Sequence, residues 1–350
     1  MRIGTRGSAL ALAQAELVAQ LLAETGMLAE GECRPASVAH LAESAPHESP
    51  LMELVTIATA GDRGSGGGGR NAGDPAANGS GGDKSRWVLD LERALSAGEI
   101  DLAVHSAKDV PGELADGLVL LGAPARAAAE DVLCTAHAMS CFSDAHQPAA
   151  LDELPPGARV GTSSVRRTAQ LRAAREDLRV VTVRGNVDTR LRKLGEGGFD
   201  ALVLARAGLQ RLGREQEIAA VLDPARFVPS PGQGTLALEG RAGDTRTRAA
   251  VEAITDAKTF ACLQAERAVA QALDASCNTP LGVHAVDGGC GCLQLRAWVG
   301  LPDGSAWVSD ELLGGFYDPE QLGGRVAERL RSAGAGELLR QAEDLAVEHA

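Results

Sequence analysis

The chain has 350 residues, 45% hydrophobic and 23% charged, with a net charge of −13, a size that suggests two or three domains with enough core to fold without staples. Three Trp, one Tyr and five Phe leave little for base-stacking platforms, and with the acidic balance they argue against a nucleic-acid partner. The seven cysteines are odd in number and lack a framework spacing, which fits a reduced, cytoplasmic setting better than a secreted one.

Met1 to Gly4 read as the end of a short strand, and Ser8 as the cap of a helix from Ala9 to Ala23 with Leu10, Leu17 and Leu21 as its buried stripe. Gln14 and Glu16 interrupt this apolar run, so it is expected to be neither a signal peptide nor a membrane span. Thr5, Arg6 and Ser8 then cluster at a strand-to-helix turn, where backbone N–H groups and the helix dipole can hold an anion; the plainer alternative is an N-cap with a surface arginine. Residues 31–50 look like an exposed insertion, 51–58 like a strand, and 61–83, with ten glycines, like a mobile loop that is either inconsequential or a lid.

A helix is expected from Trp87 to Ala97 and a buried strand from Ile100 to Val104, which runs into His105, Ser106, Ala107, Lys108, Asp109, Val110 and Pro111. Pro111 forces the chain out of regular pairing. In open α/β sheets ligands bind beyond the carboxyl ends of strands, so Ser106, Lys108 and Asp109 are well placed for chemistry, unless Lys108 and Asp109 are an ordinary ion pair.

The stretch from Gly161 to Lys193 holds nine Arg or Lys against three acids, a net +6 in an acidic chain. A local cationic region of this kind suggests an anionic small molecule held inside, because a polyanion from solution would first meet the negative field of the surface; the alternative is Arg-rich helix faces in solvent. Strands at 159–161 and 178–183 alternate with helices at about 164–175 and 187–194, which is βαβ material and implies a parallel sheet. Gly161-Thr162-Ser163-Ser164 repeats the strand-to-helix turn of the N-terminus, and Gly198 to Val203 echoes Gly98 to Val104, hinting at two domains of similar build. Residues 227–234 (FVPSPGQG) read as a crossing segment. Beyond them come a helix over 258–273, a loop over 274–280, a hairpin around Pro302-Asp303-Gly304 and one final helix over most of 321–347. Cys290 and Cys292 make a lone C-x-C, more consistent with a turn than a metal site. Cys277, flanked by Ser276 and Asn278 in a loop, is chemically available in a way that a core cysteine is not, although an inert thiol is the commoner case.

Seven segments in order, RIGTRGSALALAQ, HSAKDVP, GTSSVRRTAQL, VRGNVDTRLRKL, ALVLARAGLQRLG, PSPGQGTLALE and SCNTPLG, resemble the hydroxymethylbilane synthase (porphobilinogen deaminase) family of tetrapyrrole synthesis. The resemblance implies an α/β fold: two periplasmic-binding-protein-like (type II) α/β domains with an active-site cleft between them, plus a smaller C-terminal α+β domain. Domain 1 would comprise residues 1–124 and 230–252 with a flexible lid loop at about 61–86, domain 2 residues 125–229, and domain 3 residues 253–350. It implies a transferase that deaminates four porphobilinogens, joins them head to tail on a covalent dipyrromethane cofactor, and releases linear hydroxymethylbilane by hydrolysis. Matched residue by residue, Cys277 falls on the thioether attachment position and Asp109 on the catalytic aspartate. Arg6, Ser8, Lys84, Ser106, Lys108, Thr162, Ser164, Arg166, Arg167, Arg184, Arg190 and Arg211 fall on positions that hold cofactor and growing chain.

This chemistry explains the residue types. Each pyrrole carries an acetate and a propionate, and the guanidinium fork pairs with carboxylate in two hydrogen bonds without losing its charge. A carboxylate at Asp109 would stabilise the cationic azafulvene left when ammonia departs. The resemblance further implies a monomer, no metal, no membrane or nucleic-acid partner, and a product passed to uroporphyrinogen-III synthase. Ala275 and Ser276 depart from the family's Gly-Gly before the cysteine, and Trp87 takes the family's Phe position after a glycine-rich insertion. The competing reading is a solute-binding module for an anionic small molecule that performs no chemistry; it needs neither Cys277 nor Asp109.

Overall fold

The structure, a computed structural model, describes residues 1–26, 34–35, 52–57, 85–135, 149–276 and 278–348. Lys84, Cys277, the glycine-rich segment 61–83 and most of the expected insertion at 31–50 lie outside the described residues. The chain builds two compact units, Met1–Ala125 with Leu236–Asp256, and Arg126–Thr235 with Ala257–Ala350.

The first unit opens with β1 (Arg2–Arg6), α1 (Ala9–Glu24), β2 (Arg34–Pro35), β3 (Glu53–Ile57), α2 (Ser85–Ser96), β4 (Leu102–Ser106) and β5 (Leu118–Gly122). Ser8 caps α1 as expected, its hydroxyl accepting from the Ala11 N–H at 3.3 Å. The buried stripe is not the expected leucine row. It consists of Gln14, Ala15, Val18, Ala19 and Leu22, while Leu17 stays 40% exposed. Two alanines let the helix axis lie close to the sheet, and the stripe rotates to present them.

The second unit begins with β6 (Asp131–Thr135), α3 (Ala149–Asp152), β7 (Arg159–Gly161), α4 (Val165–Ala174), β8 (Arg179–Val181), α5 (Val187–Gly195), β9 (Ala201–Ala205), α6 (Arg206–Arg211) and β10 (Ala220–Val221). The chain then returns to the first unit for β11 (Leu236–Arg241) and α7 (Thr245–Ile254).

The two large sheets share one plan. In the first, the order is β2-β3-β1-β4-β11-β5; in the second it is β8-β7-β9-β6-β10. β1 lies parallel between β3 and β4, as β7 lies parallel between β8 and β9. β11 then runs antiparallel to β4 and β5, and β6 antiparallel to β9 and β10. Each sheet is therefore mixed, with the expected parallel βαβ core and one reversed strand supplied from elsewhere in the chain. The echoed segments at 98–104 and 198–203 lead into β4 and β9, the same strand of this plan.

Even the strand glycines correspond. A Cβ on Gly4 of β1 would sit 2.2 Å from Ile100 Cδ1, and one on Gly161 of β7 would sit 2.4 Å from Leu202 Cδ2. A side chain at either position would force its neighbour to shift, and each glycine is followed by a buried threonine, Thr5 or Thr162.

The rest of the second unit contains α8 (Ala257–Ala272), β12 (Leu281–Gly289), β13 (Cys292–Gly300), β14 (Trp307–Gly315), α9 (Pro319–Ser332) and α10 (Ala335–Glu348). The antiparallel sheet β12-β13-β14 turns Val283, Ala285, Leu293, Leu295, Ala297 and Val299 toward Val269 of α8 and Leu322, Val326 and Leu330 of α9. Each such fully buried Leu or Val contributes roughly 1.5–3 kcal/mol. The single final helix expected from sequence is two: Gly334, at φ 102°, adopts a conformation that ends α9 and lets α10 fold back. The Cys290–Cys292 stretch is the turn between β12 and β13, as expected, with Cys290 itself at φ 53°.

At the start of the second unit, Arg126 grips the fully buried Glu266 of α8 through both terminal nitrogens, at 2.7 and 3.3 Å. Glu266 also accepts from the backbone N–H of Gly232 and of Ala285. Arg126 further donates to the carbonyls of Gln233 and Ala285. One buried ion pair thus joins the first residue of this unit, the crossing segment and the C-terminal sheet.

Candidate active site

In the first unit, β1 and β4 are parallel neighbours, with Gly4 beside Ala103, so their carboxyl ends finish side by side. That edge carries Arg6 and Ser8 from one strand and Ser106, Lys108 and Asp109 from the other. Asp109 closes a single 3-10 turn, Ala107–Asp109, in which the Val110 N–H bonds the Ala107 carbonyl at 3.2 Å. Ser106 is oriented by Gln14, which is buried on α1 and exchanges two hydrogen bonds with its hydroxyl, at 2.9 and 3.2 Å. Arg6, Gln14, Trp87, His105, Ser106 and Asp109 line one small pocket. Behind it, His105 Nε2 bonds the fully buried Glu239 at 2.8 Å, and burial raises the carboxyl pKa of nearby Glu92.

In the second unit the same edge of β7 carries Thr162 and Ser164. The Ser164 N–H bonds Thr162 Oγ1 at 3.2 Å, and Ser164 Oγ caps α4 by accepting from the Arg167 N–H at 3.4 Å. The paired arginines that follow are not directed outward. Both are buried, at 3% and 6% exposure, and both engage one fully buried carboxylate, Asp131. Arg166 Nη2 lies 2.8 Å from its Oδ2, and Arg167 donates to Oδ1 from Nε at 2.9 Å and Nη2 at 2.7 Å. Gln233 donates to the same oxygen at 3.0 Å. Burial would raise the Asp131 pKa; Arg166, Arg167 and Gln233 outweigh it and hold the carboxyl at about 2.

Three other arginines behave differently. Arg184 is exposed, with no ion-pair partner among the described residues. Arg190 donates to the Gly185 carbonyl at 2.8 Å and to Ser163 Oγ at 3.2 Å, and burial, with Arg167 nearby, lowers its pKa. Arg211 donates to the Gly234 carbonyl at 2.7 Å, and burial lowers its pKa to about 10. Neither has a carboxylate partner among the described residues. A desolvated guanidinium without a counter-charge is costly, and it is the environment that a ligand carboxylate would relieve.

The +6 stretch therefore divides. Arg172 bonds the Pro302 carbonyl, Arg175 pairs with Asp177 and Arg192 with Glu196, so several of its cations serve the fold. Sequence reasoning missed Asp131, Gln14, Gln233 and the Arg126–Glu266 pair. Nothing local marks them, since each meets its partner across a long stretch of chain.

Residues 1–249 match the family described as porphobilinogen deaminase, dipyromethane cofactor binding domain, and residues 260–332 match porphobilinogen deaminase, C-terminal domain. The chain belongs to the porphobilinogen deaminase family. The porphobilinogen deaminase of Stenotrophomonas maltophilia (strain R551-3) is 42% identical over 339 residues, 97% of this chain and 98% of its own length. That of Deinococcus radiodurans is 40% identical over 337 residues, 96% and 97% respectively. That of Thiobacillus denitrificans is 45% identical over 258 residues, 74% and 81%. Among solved structures, the periplasmic aliphatic sulphonate binding protein SsuA from Escherichia coli aligns over 78% of this chain and 70% of its own, at 13% identity and a TM-score of 0.35.

As a porphobilinogen deaminase family member, the chain is a transferase whose cofactor is dipyrromethane and whose substrate is porphobilinogen. The arginines without counter-charge fit that cofactor, because an oligopyrrole presents several carboxylates and few other strong acceptors. No helix among the described residues is long and apolar enough to cross a membrane.

Proposed function

We propose that this chain deaminates four porphobilinogens, links them head to tail and releases hydroxymethylbilane, with the following residues in named roles. Arg184, Arg190 and Arg211, with Thr162 and Ser164, hold the carboxylates of cofactor and product chain. Arg6, Ser8, Lys84, Ser106 and Lys108 position the pyrrole that reacts. Asp109 supplies the counter-charge as ammonia leaves the substrate, and accepts a proton as the new ring becomes aromatic again. When bound, the dipyrromethane supplies the nucleophilic pyrrole carbon to which the first substrate is joined. Arg166 and Arg167 take a supporting part: their bonds to Asp131 fix the turn that carries Thr162 and Ser164.

The observation that carries this reading is the pair Arg190 and Arg211, partly desolvated and without a carboxylate partner among the described residues, in a chain whose overall charge is −13. We assign Cys277 as the thioether attachment residue. The helix that precedes it ends without the family's Gly-Gly. Asp274 takes the left-handed conformation at φ 52°, and the N–H groups of Asp274 and Ala275 bond the carbonyls of Gln271 and Ala270. This closes α8 in a Schellman pattern and releases Ala275 and Ser276 from the need for glycine.

The partition into residues 1–124 with 230–252, 125–229 and 253–350, a monomeric state, a cytoplasmic setting and transfer of product to uroporphyrinogen-III synthase belong to the same proposal. Intact-mass measurement on freshly purified protein tests it. The expected mass exceeds the polypeptide by two linked pyrrole units, and Cys277→Ser removes the excess. Full activity at bare polypeptide mass would overturn the attachment. A protein that binds porphobilinogen without turnover would support the solute-binding alternative.

A further inference from the structure

Trp87 stands in the first turn of α2, and its ring carries the guanidinium of Arg6, whose Cζ lies 3.6 Å from the ring centroid. Both side chains line the pocket that also holds Gln14, Ser106 and Asp109. The indole N–H is buried and has no hydrogen-bond acceptor among the described residues, an uncommon state for a buried indole N–H. The pocket has a volume of about 40 Å³, room for a few waters or a small polar group. A cation held flat, an N–H donor without an acceptor among the described residues and a small polar space thus converge beside Asp109.

We infer that Trp87 is a further substrate-binding residue: its ring face fixes Arg6, and its N–H donates to a carboxylate of the porphobilinogen that reacts at Asp109. The inference rests on the function proposed above and deepens it at one position. A phenylalanine there could hold Arg6 but could not donate, so the indole adds a hydrogen bond that a Phe-bearing site lacks. The other two tryptophans stack on each other in the C-terminal sheet, with centroids 6.5 Å apart, so substrate should perturb the emission of Trp87 selectively.

The test compares Trp87→Phe, Trp87→Leu and a Trp307→Phe control, all loaded with cofactor. Trp87→Phe keeps the ring and removes the donor, and KM for porphobilinogen is expected to rise roughly tenfold or more, the range for a hydrogen bond to a charged group. Trp87→Leu also releases Arg6, adding a further loss of about two- to thirtyfold. In the parent and in Trp307→Phe, adding porphobilinogen changes tryptophan emission; in Trp87→Phe that change is lost.

A KM within twofold of the parent in Trp87→Phe, or an emission change that persists in it, would overturn the inference. So would a response on cofactor loading alone, with none on substrate addition. Failure here is separable from failure of the proposed function, which would appear as absence of turnover and of the bound pyrroles in the parent protein.

Discussion

Replacing Asp131 by Asn tests whether the paired arginines belong to the fold or to the ligand. In the structure one fully buried carboxylate pairs with two buried guanidinium groups and offsets one of their two charges. The substitution keeps the shape and leaves both cations without a counter-charge. Breaking a buried ion pair by removing one partner costs about 3–5 kcal/mol. The titration gives an independent scale. Asp131 falls from an ordinary 3.8 to about 2 in the folded protein, a difference of roughly 2 kcal/mol. Because the folded pKa is the lower one, this stabilisation is fully present above about pH 4 and is lost as pH falls toward 2.

Urea unfolding at neutral pH, followed by circular dichroism, should therefore show Asp131→Asn destabilised by at least 2 kcal/mol, and melting should fall by about 4–20 °C for a unit of this size. The gap between variant and parent should narrow only below about pH 4. A variant within 1 kcal/mol of the parent at neutral pH would refute the reasoning. It would mean that Arg166 and Arg167 do not depend on Asp131 and are available to the ligand.

Asp109→Asn should lower kcat by about 10²–10³-fold while leaving the melting temperature within a few degrees, since the amide keeps the size and loses the counter-charge; near-normal steady-state turnover would remove Asp109 from its role. Gly4→Ala should cost about 1–3 kcal/mol by overpacking against Ile100, and Ile100→Val in the same chain should recover part of that loss in urea unfolding. An equal loss in the double variant would show that the crowding lies elsewhere.

Local signals were strong enough to mark the strand–turn–helix units. A serine before an apolar-periodic run specifies an N-cap because it satisfies backbone N–H groups within three residues, and Ser8 and Ser164 do so. The segments that end in Arg6 and in Ser164 were placed at strand ends for the same reason, that ending in Asp109 by the apolar run before it and Pro111 after it, and the family motifs implied their roles. The C-terminal sheet was only half legible, because Gly282, Gly288 and Gly289 obscure the alternation of β12. The expected leucine stripe on α1 was off by a fraction of a turn, since periodicity shows that one face is buried but not which small residues the sheet can best approach.

What the chain alone determined is whatever depends on neighbours a few residues apart: the caps, the turns and the concentration of arginines between Gly161 and Lys193. Tertiary structure decided which of those arginines are paired with a carboxylate inside the fold. Asp131 is 35 and 36 residues from the two guanidinium groups that it pairs with, and Trp87 reaches Arg6 from a different element. Whether a charge is compensated depends on the distance between groups in space and on the water excluded around them, and both quantities exist only once the sheets have formed.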